Sequence, residues 1–228
     1  MRPVWPGGLE SVDTRRDPPM PRTPRPALAL LAGLLLAAPA AADEPADFAV
    51  DPVHTRVLVA VDHAGFSRSL GTASGSTGRV RFAEGWAGAE VDVTVPLDAL
   101  DFGDARWNAA VQELLGTGRH PRARFVSTRV TPRDATRAEV CGDLALAGTT
   151  RPLCMDVTFN ALKRHPLPPF RRTVGFSATA RLDRMEFGLD RWASMVGREV
   201  ELRIELEASR GLGAPAATPA PSTEDPRR

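Results

Sequence analysis

Tyrosine is absent, lysine occurs once, at Lys163, and aromatic residues make up 6% of the 228-residue chain. So few aromatic faces leave few platforms on which bases could stack. Arginine carries nearly all the positive charge, and the formal net charge of +1 leaves no basic footprint for nucleic acid. No nucleic-acid partner is expected. The chain also lacks a run of about 20 apolar residues, the length a helix needs to span a bilayer. It is therefore not read as an integral membrane protein. Missing too are G-x-S-x-G, H-E-x-x-H and a glycine-rich phosphate loop, and the four histidines are scattered without metal-ligand spacing. On these grounds no catalytic residue, metal or cofactor is assigned, and the chain is not read as an enzyme.

The longest apolar run, Ala27 to Ala38, follows the basic residues Arg22 and Arg25 and precedes the small residues Ala40, Ala41 and Ala42. These are the three parts of a secretory signal peptide. Cleavage is expected before Asp43, with export to the periplasm, and with no cysteine behind the run no lipoprotein anchor is expected. Met1 to Pro19 is polar and rich in Pro and Arg upstream of a complete signal, so Met20 is the expected start. Residues 43–210 then form one domain of ordinary length. Residues 211–228 are Ala, Pro, Thr and charge without periodicity, and are expected to be a disordered tail.

Strand patterns dominate the domain. Val57, Val59, Val61 and His63 alternate with Leu58, Ala60 and Asp62. Val91, Val93 and Val95 alternate with Asp92 and Thr94, and Val174, Phe176, Ala178, Ala180 and Leu182 with Ser177, Thr179 and Arg181. In Val200 to Leu206 every second residue is aliphatic and the rest are charged. One face on a core and one in water is the pattern of antiparallel sheets. Gly71 to Gly78 and Glu84 to Gly88 read as turns or bulges. The two cysteines, Cys141 and Cys154, fall on the outward faces of neighbouring strands joined at Gly148-Thr149. A cross-strand disulfide is expected, and without C-x-x-C it reads as a structural bridge.

One segment departs from period two. Trp107, Val111, Leu114 and Leu115 recur at helical spacing between Asp104, an N-cap, and Gly116, a stop. Many strands and one helix predict an all-β fold: an antiparallel, lipocalin-like eight-stranded barrel with a short helical insertion, closed so that no strand edge is left bare. Eight strands enclose either packed side chains or one small ligand. Both interiors fit the pattern.

Ordered blocks along the domain carry a resemblance. They are Asp51-Pro52-Val53-His54-Thr55-Arg56-Val57, leading into Val59-Ala60-Val61-Asp62-His63-Ala64-Gly65-Phe66, and Leu97 to Asp104 ahead of the helix. Next come His120-Pro121 through Phe125 to Thr128, Gly142-Asp143-Leu144 with Gly148 to Pro152, and Asp183-Arg184-Met185-Glu186-Phe187-Gly188-Leu189 ahead of Val200 to Ile204. The domain thereby resembles the YceI-like family of bacterial periplasmic proteins over nearly all of Asp47 to Ser209. The resemblance implies a lipocalin-like barrel that holds a long-chain isoprenoid or another amphiphilic, fatty-acid-like lipid. Trp107-Asn108 stands where the family usually has Arg-Asp, and Gly71 to Gly75 has no Phe where the family usually has one. One change would narrow a cavity and the other widen it, so ligand identity is not carried over.

The residues expected to meet the ligand are Val59, Val61, His63, Phe66, Val93, Val95, Phe176, Ala178, Ala180, Arg184, Leu202 and Ile204. His63 is either a head-group contact or a buried, satisfied histidine; His54 reads as structural, and His120 and His165 as solvent-facing. Arg184 would either meet a pyrophosphate or carboxylate, or pair with an acid such as Asp51. The lead reading is an exported carrier or scavenger of an amphiphilic lipid. A filled barrel acting as the partner of a membrane redox protein and, further off, a lipid-modifying enzyme stand as alternatives. A homodimer and a membrane-protein partner stay open, with no interface residue to assign.

Overall fold

The computed structural model describes residues 44–167 and 169–211. The leader expected over residues 1–42, and all of the expected tail but Gly211, lie outside the described residues. Ten strands and one α-helix follow in chain order among the described residues: β1 (Ala46–Val50), β2 (Arg56–His63), β3 (Ser67–Ala73), β4 (Thr77–Phe82), β5 (Glu90–Pro96), α1 (Ala105–Leu115), β6 (Arg122–Pro132), β7 (Arg137–Leu146), β8 (Thr149–Arg164), β9 (Arg172–Asp183) and β10 (Val196–Arg210), with a single 3-10 turn, Arg184–Phe187, after β9. Every pairing is antiparallel, and the sheet order is β1-β4-β5-β6-β7-β8-β9-β10-β2-β3.

The expected eight-stranded ring is present. Ala49 and Val50 of β1 pair with Ser209 and Ala208 of β10, which closes β1, β4, β5, β6, β7, β8, β9 and β10 on themselves. The β2–β3 hairpin continues from the other half of β10, where Val196 to Glu205 pair with β2. At that end no strand pairs with the free side of β3 beyond a single bridge, Thr72 to Asp101, among the described residues. The segment running into α1 fills the opening. The barrel is thus closed by strands at one end and by a loop and helix at the other.

Two features of β3 and β4 differ from the reading of 71–78 as turn. Gly71 to Ala73 complete β3, and Thr77-Gly78 open β4. Gly78 has φ 139°, and a Cβ there would lie 2.1 Å from the Asp92 carbonyl oxygen. Only glycine lets β4 approach β5 this closely. The helix matches its expected limits. The Asp104 carboxylate accepts from the backbone N–H groups of Arg106 and Trp107, and Gly116 ends the helix in the left-handed region. Asn108 ties α1 to the bridging loop: its Oδ1 accepts from Phe102 N and its Nδ2 donates to Asp101. In this chain the second half of the Trp107-Asn108 pair is therefore a loop anchor.

Cys141 and Cys154 are register partners on β7 and β8 and form the expected disulfide. Arg129 lies across it, with Nη2 3.3 Å from Cys141 Sγ. At the β1–β2 turn, burial alone would raise the Asp51 carboxyl. Hydrogen bonds from the His54 ring and from the backbone N–H groups of Val53 and His54 override this and hold it below its ordinary value of 3.8.

Replacing both cysteines with serine is expected to cost about 3 kcal/mol, the figure for a closed loop of roughly this length; denaturant unfolding of wild type and variant measures it. A carboxyl depressed on folding stabilises above its unfolded value and loses that contribution as pH falls through the folded one. Asp51→Asn is therefore expected to lower the urea midpoint above about pH 4 and to converge on wild type in stronger acid. A pH series of unfolding curves reads the difference.

Candidate functional site

Inward parity of the strands leaves an apolar cavity of about 460 Å³ inside the barrel, within the roughly 300–1,000 Å³ typical of small-molecule sites. Of the residues expected to meet a ligand, Val59, Val61, His63, Val93, Val95, Phe176, Ala178, Leu202 and Ile204 line it. They come from β2, β5, β9 and β10: period-two alternation put each row on one face, and the sheet topology turned those faces toward one cavity. Of the two interiors that fit the sequence, the middle of this barrel is the hollow one.

Three expected site residues are placed otherwise. Phe66 does not line the cavity: it sits at the tip of the β2–β3 turn and is 90% exposed. Ala64 and Gly65 both take positive φ there, which carries the chain past the last inward position, His63, before Phe66 is reached. Ala180 is buried but packs within the core instead of facing the cavity. Arg184 reaches the cavity wall, yet its guanidinium is spent. It donates to the carbonyls of Gly197, Arg191 and Val196 at 2.8, 3.0 and 2.8 Å, and to that of Leu189. Four of its five N–H donors are thereby used on backbone. Burial pulls its pKa down, and Asp190 and Asp183 oppose that. The pairing with Asp51 does not occur: Asp51 meets His54 and Arg171. Arg184 pins the loop between Leu189 and Gly197, which forms one side of the cavity mouth.

The remaining histidines are occupied by structure. His54 bonds Asp51, and His165 Nδ1 accepts from Leu167 N. His120 is half-buried, not solvent-facing, and its ring packs on Gly148, where a Cβ would come within 2.8 Å. His63 alone faces the cavity, at its mouth, its ring centroid 5.4 Å from that of Trp107. The one metal-like cluster among the described residues, Glu139 with Cys141 and Cys154, has both sulfurs in the disulfide.

Sequence reasoning missed the floor of the cavity and, beyond His63, Trp107 and Arg184, the residues of its rim. The far end is an aromatic floor of Phe82, Trp86, Phe159 and Phe176, with ring centroids 4.9–6.0 Å apart. Trp86 comes from the turn Glu84 to Gly88, where its φ is 70°. A non-glycine residue held there is costly, and burial of the large indole offsets the cost. A tryptophan among glycines was the available signal. Its Nε1, like Ser76 Oγ, is buried beside the cavity with no hydrogen-bond partner. At the mouth, Trp107, Trp192 and Met195 line the rim. The wall expected to be widened by a missing Phe is covered by Phe102, whose ring lies where a Gly71 side chain would go.

Comparison with known proteins agrees with this architecture. The family model described as YceI-like domain matches residues 48–208. A UPF0312 protein of Pseudomonas savastanoi pv. phaseolicola is 32% identical over 168 residues, covering 72% of this chain and 85% of that protein. One from Azotobacter vinelandii is 29% identical, covering 81% and 96%. Among solved structures, Burkholderia cenocepacia BcnA aligns with TM-score 0.62 at 21% identity, over 70% of this chain and 99% of that one. A polyisoprenoid binding domain from Saccharophagus degradans aligns with TM-score 0.55 at 14% identity, over 74% and 98%.

Arg184→Met would leave its buried carbonyls without donors, each at roughly 1–3 kcal/mol. A loss of about 3 kcal/mol or more in unfolding free energy, with faster amide exchange confined first to 189–197, is the expected result.

Proposed function

This chain belongs to the YceI-like domain family, and on that premise we propose that it is an exported protein that carries or scavenges one amphiphilic lipid inside its barrel. The observation that carries the reading is the apolar cavity, walled by aliphatic rows from the Trp107 rim to the Trp86 floor. Each buried methylene contributes roughly 0.8 kcal/mol. A chain of about 15 carbons then exceeds the roughly 8 kcal/mol of micromolar binding even after several kcal/mol of ordering cost. An isoprenoid or fatty-acid-like chain fits such a tunnel, and the polyisoprenoid-binding description of the Saccharophagus domain supports that class.

Polar residues are a minority of the cavity lining: His63 stands at the mouth, Ser76 and the Trp86 N–H are buried without partners, and Thr55, Ser69, Arg81, Glu90 and Arg184 also border it. A lipid with an oxygen acceptor could satisfy one of them while its chain fills the apolar wall. No histidine–carboxylate pair opens on the cavity, since Asp51 holds His54 elsewhere. The site supplies burial and orientation, which is what a carrier requires. The disulfide supports a working place in an oxidising compartment, as the periplasm is.

Native mass spectrometry of the purified protein, followed by organic extraction, is the test. A bound mass that extracts as one lipid class is expected; a folded protein free of lipid would sink the reading. Ala178→Phe places a ring in the cavity and is expected to lower the extracted lipid several-fold, with a stability change within the roughly 1–3 kcal/mol of overpacking.

A further inference from the structure

Of the seven large apolar side chains exposed among the described residues, four gather at the mouth, while Val53 lies in the β1–β2 turn. Phe66, Leu70, Met195 and Trp107 are 90%, 56%, 50% and 45% exposed. Phe66 is the tip of the β2–β3 turn, and Leu70 follows it on the outer face of β3. Met195 adjoins that turn, its carbonyl accepting from Ala64 N at 2.6 Å, and Trp107 packs against His63, the last residue of β2. Leu167 and Phe170 lie in the β8–β9 turn at the opposite end: register pairs Arg210 with Arg172 there, and Glu199 with Asp183 near the mouth.

Two further observations say what this rim meets. Trp107 and Met195 are both exposed and part of the cavity lining, so apolar surface runs from the interior to solvent without a break. The cations flanking the apolar tips are paired, Arg68 with Glu201, Arg191 with Glu113 and Arg198 with Asp183, whereas Arg106, Arg119, Arg122 and Arg151 at the same end make no ion pair among the described residues. The charges nearest Phe66, Leu70 and Met195 are thus neutralised in place, and the tips themselves are apolar. Projecting apolar tips, two rim tryptophans and neutralised charge beside the tips are the features of contact with a neutral lipid–water interface.

We propose that the barrel mouth docks on a neutral bilayer, with Phe66 and Leu70 inserted, so that a lipid passes between membrane and cavity along Trp107 and Met195 without crossing water. This rests on the lipid-binding reading above. The test is flotation of the full chain with phosphatidylcholine vesicles at low and high salt, beside Phe66→Asp/Leu70→Ser, whose two positions lie outside the cavity lining. Wild type is expected to float at both salt concentrations, and the variant's bound fraction to fall about tenfold or more, with the same lipid extracted from both. Failure of wild type to float would overturn the proposal. So would flotation only with anionic vesicles that salt abolishes, or a variant that converts a dimer to a monomer while vesicle binding stays unchanged. A chain that floats yet extracts empty would sink the lipid-binding reading alone, whereas a lipid-loaded chain that never floats would sink the docking alone.

Discussion

The rest of the structure depends on β10 being long enough to serve two partners at once. Its 15 residues pair along one side with β9, and on the other with β2 first and then β1. The β1 contact closes the ring and removes the sheet edge at that end. The β2 contact carries the sheet on past the ring and sets up an opening that strands do not fill. A floor and a mouth follow from the same strand, because one end is sealed by pairing and the other by a helix anchored through Asn108.

That asymmetry explains why the interior is both packed and hollow. Near the closed end, Phe48, Phe82, Trp86 and Phe176 meet across a narrow ring and exclude space. Farther up, β2, β5, β9 and β10 present Val, Ile, Leu and Ala, whose shorter side chains do not reach across. The bore left between them is long and apolar. The polar groups that do reach the interior are mostly answered by backbone: Arg184 by four carbonyls and Thr55 by the Glu207 carbonyl. A buried charge tolerated only when saturated with partners is a structural element, and here it holds the loop that borders the mouth.

Most of the wall was legible in the sequence, since strand parity is a local property: once Val59 points inward, Val61 and His63 must follow. The helix was equally legible, because Asp104 and Gly116 act on their own neighbouring backbone. Phe66 was misplaced although it is off the parity of His63: it belongs to the β2–β3 turn, where Ala64 and Gly65 take positive φ and the side chain is carried into solvent. Ala180 has the right parity, and Ala178, Leu182 and its register partner Leu202 all line the cavity, but its own short side chain is packed within the core and does not reach the cavity surface. Trp86 was hidden in a turn segment, and only the packing of Phe82 and Phe176 from distant strands draws it inward.

The sequence by itself determined the alternation of inward and outward residues, the barrel class, the helix limits and the facing cysteines, because each depends on backbone periodicity or on groups a few residues apart. Only the tertiary structure decided whether the barrel is filled, where its floor and mouth lie, and which partners Arg184 takes. Those outcomes depend on distances between side chains from strands far apart in the chain, and no local pattern encodes how far a side chain reaches across a closed ring.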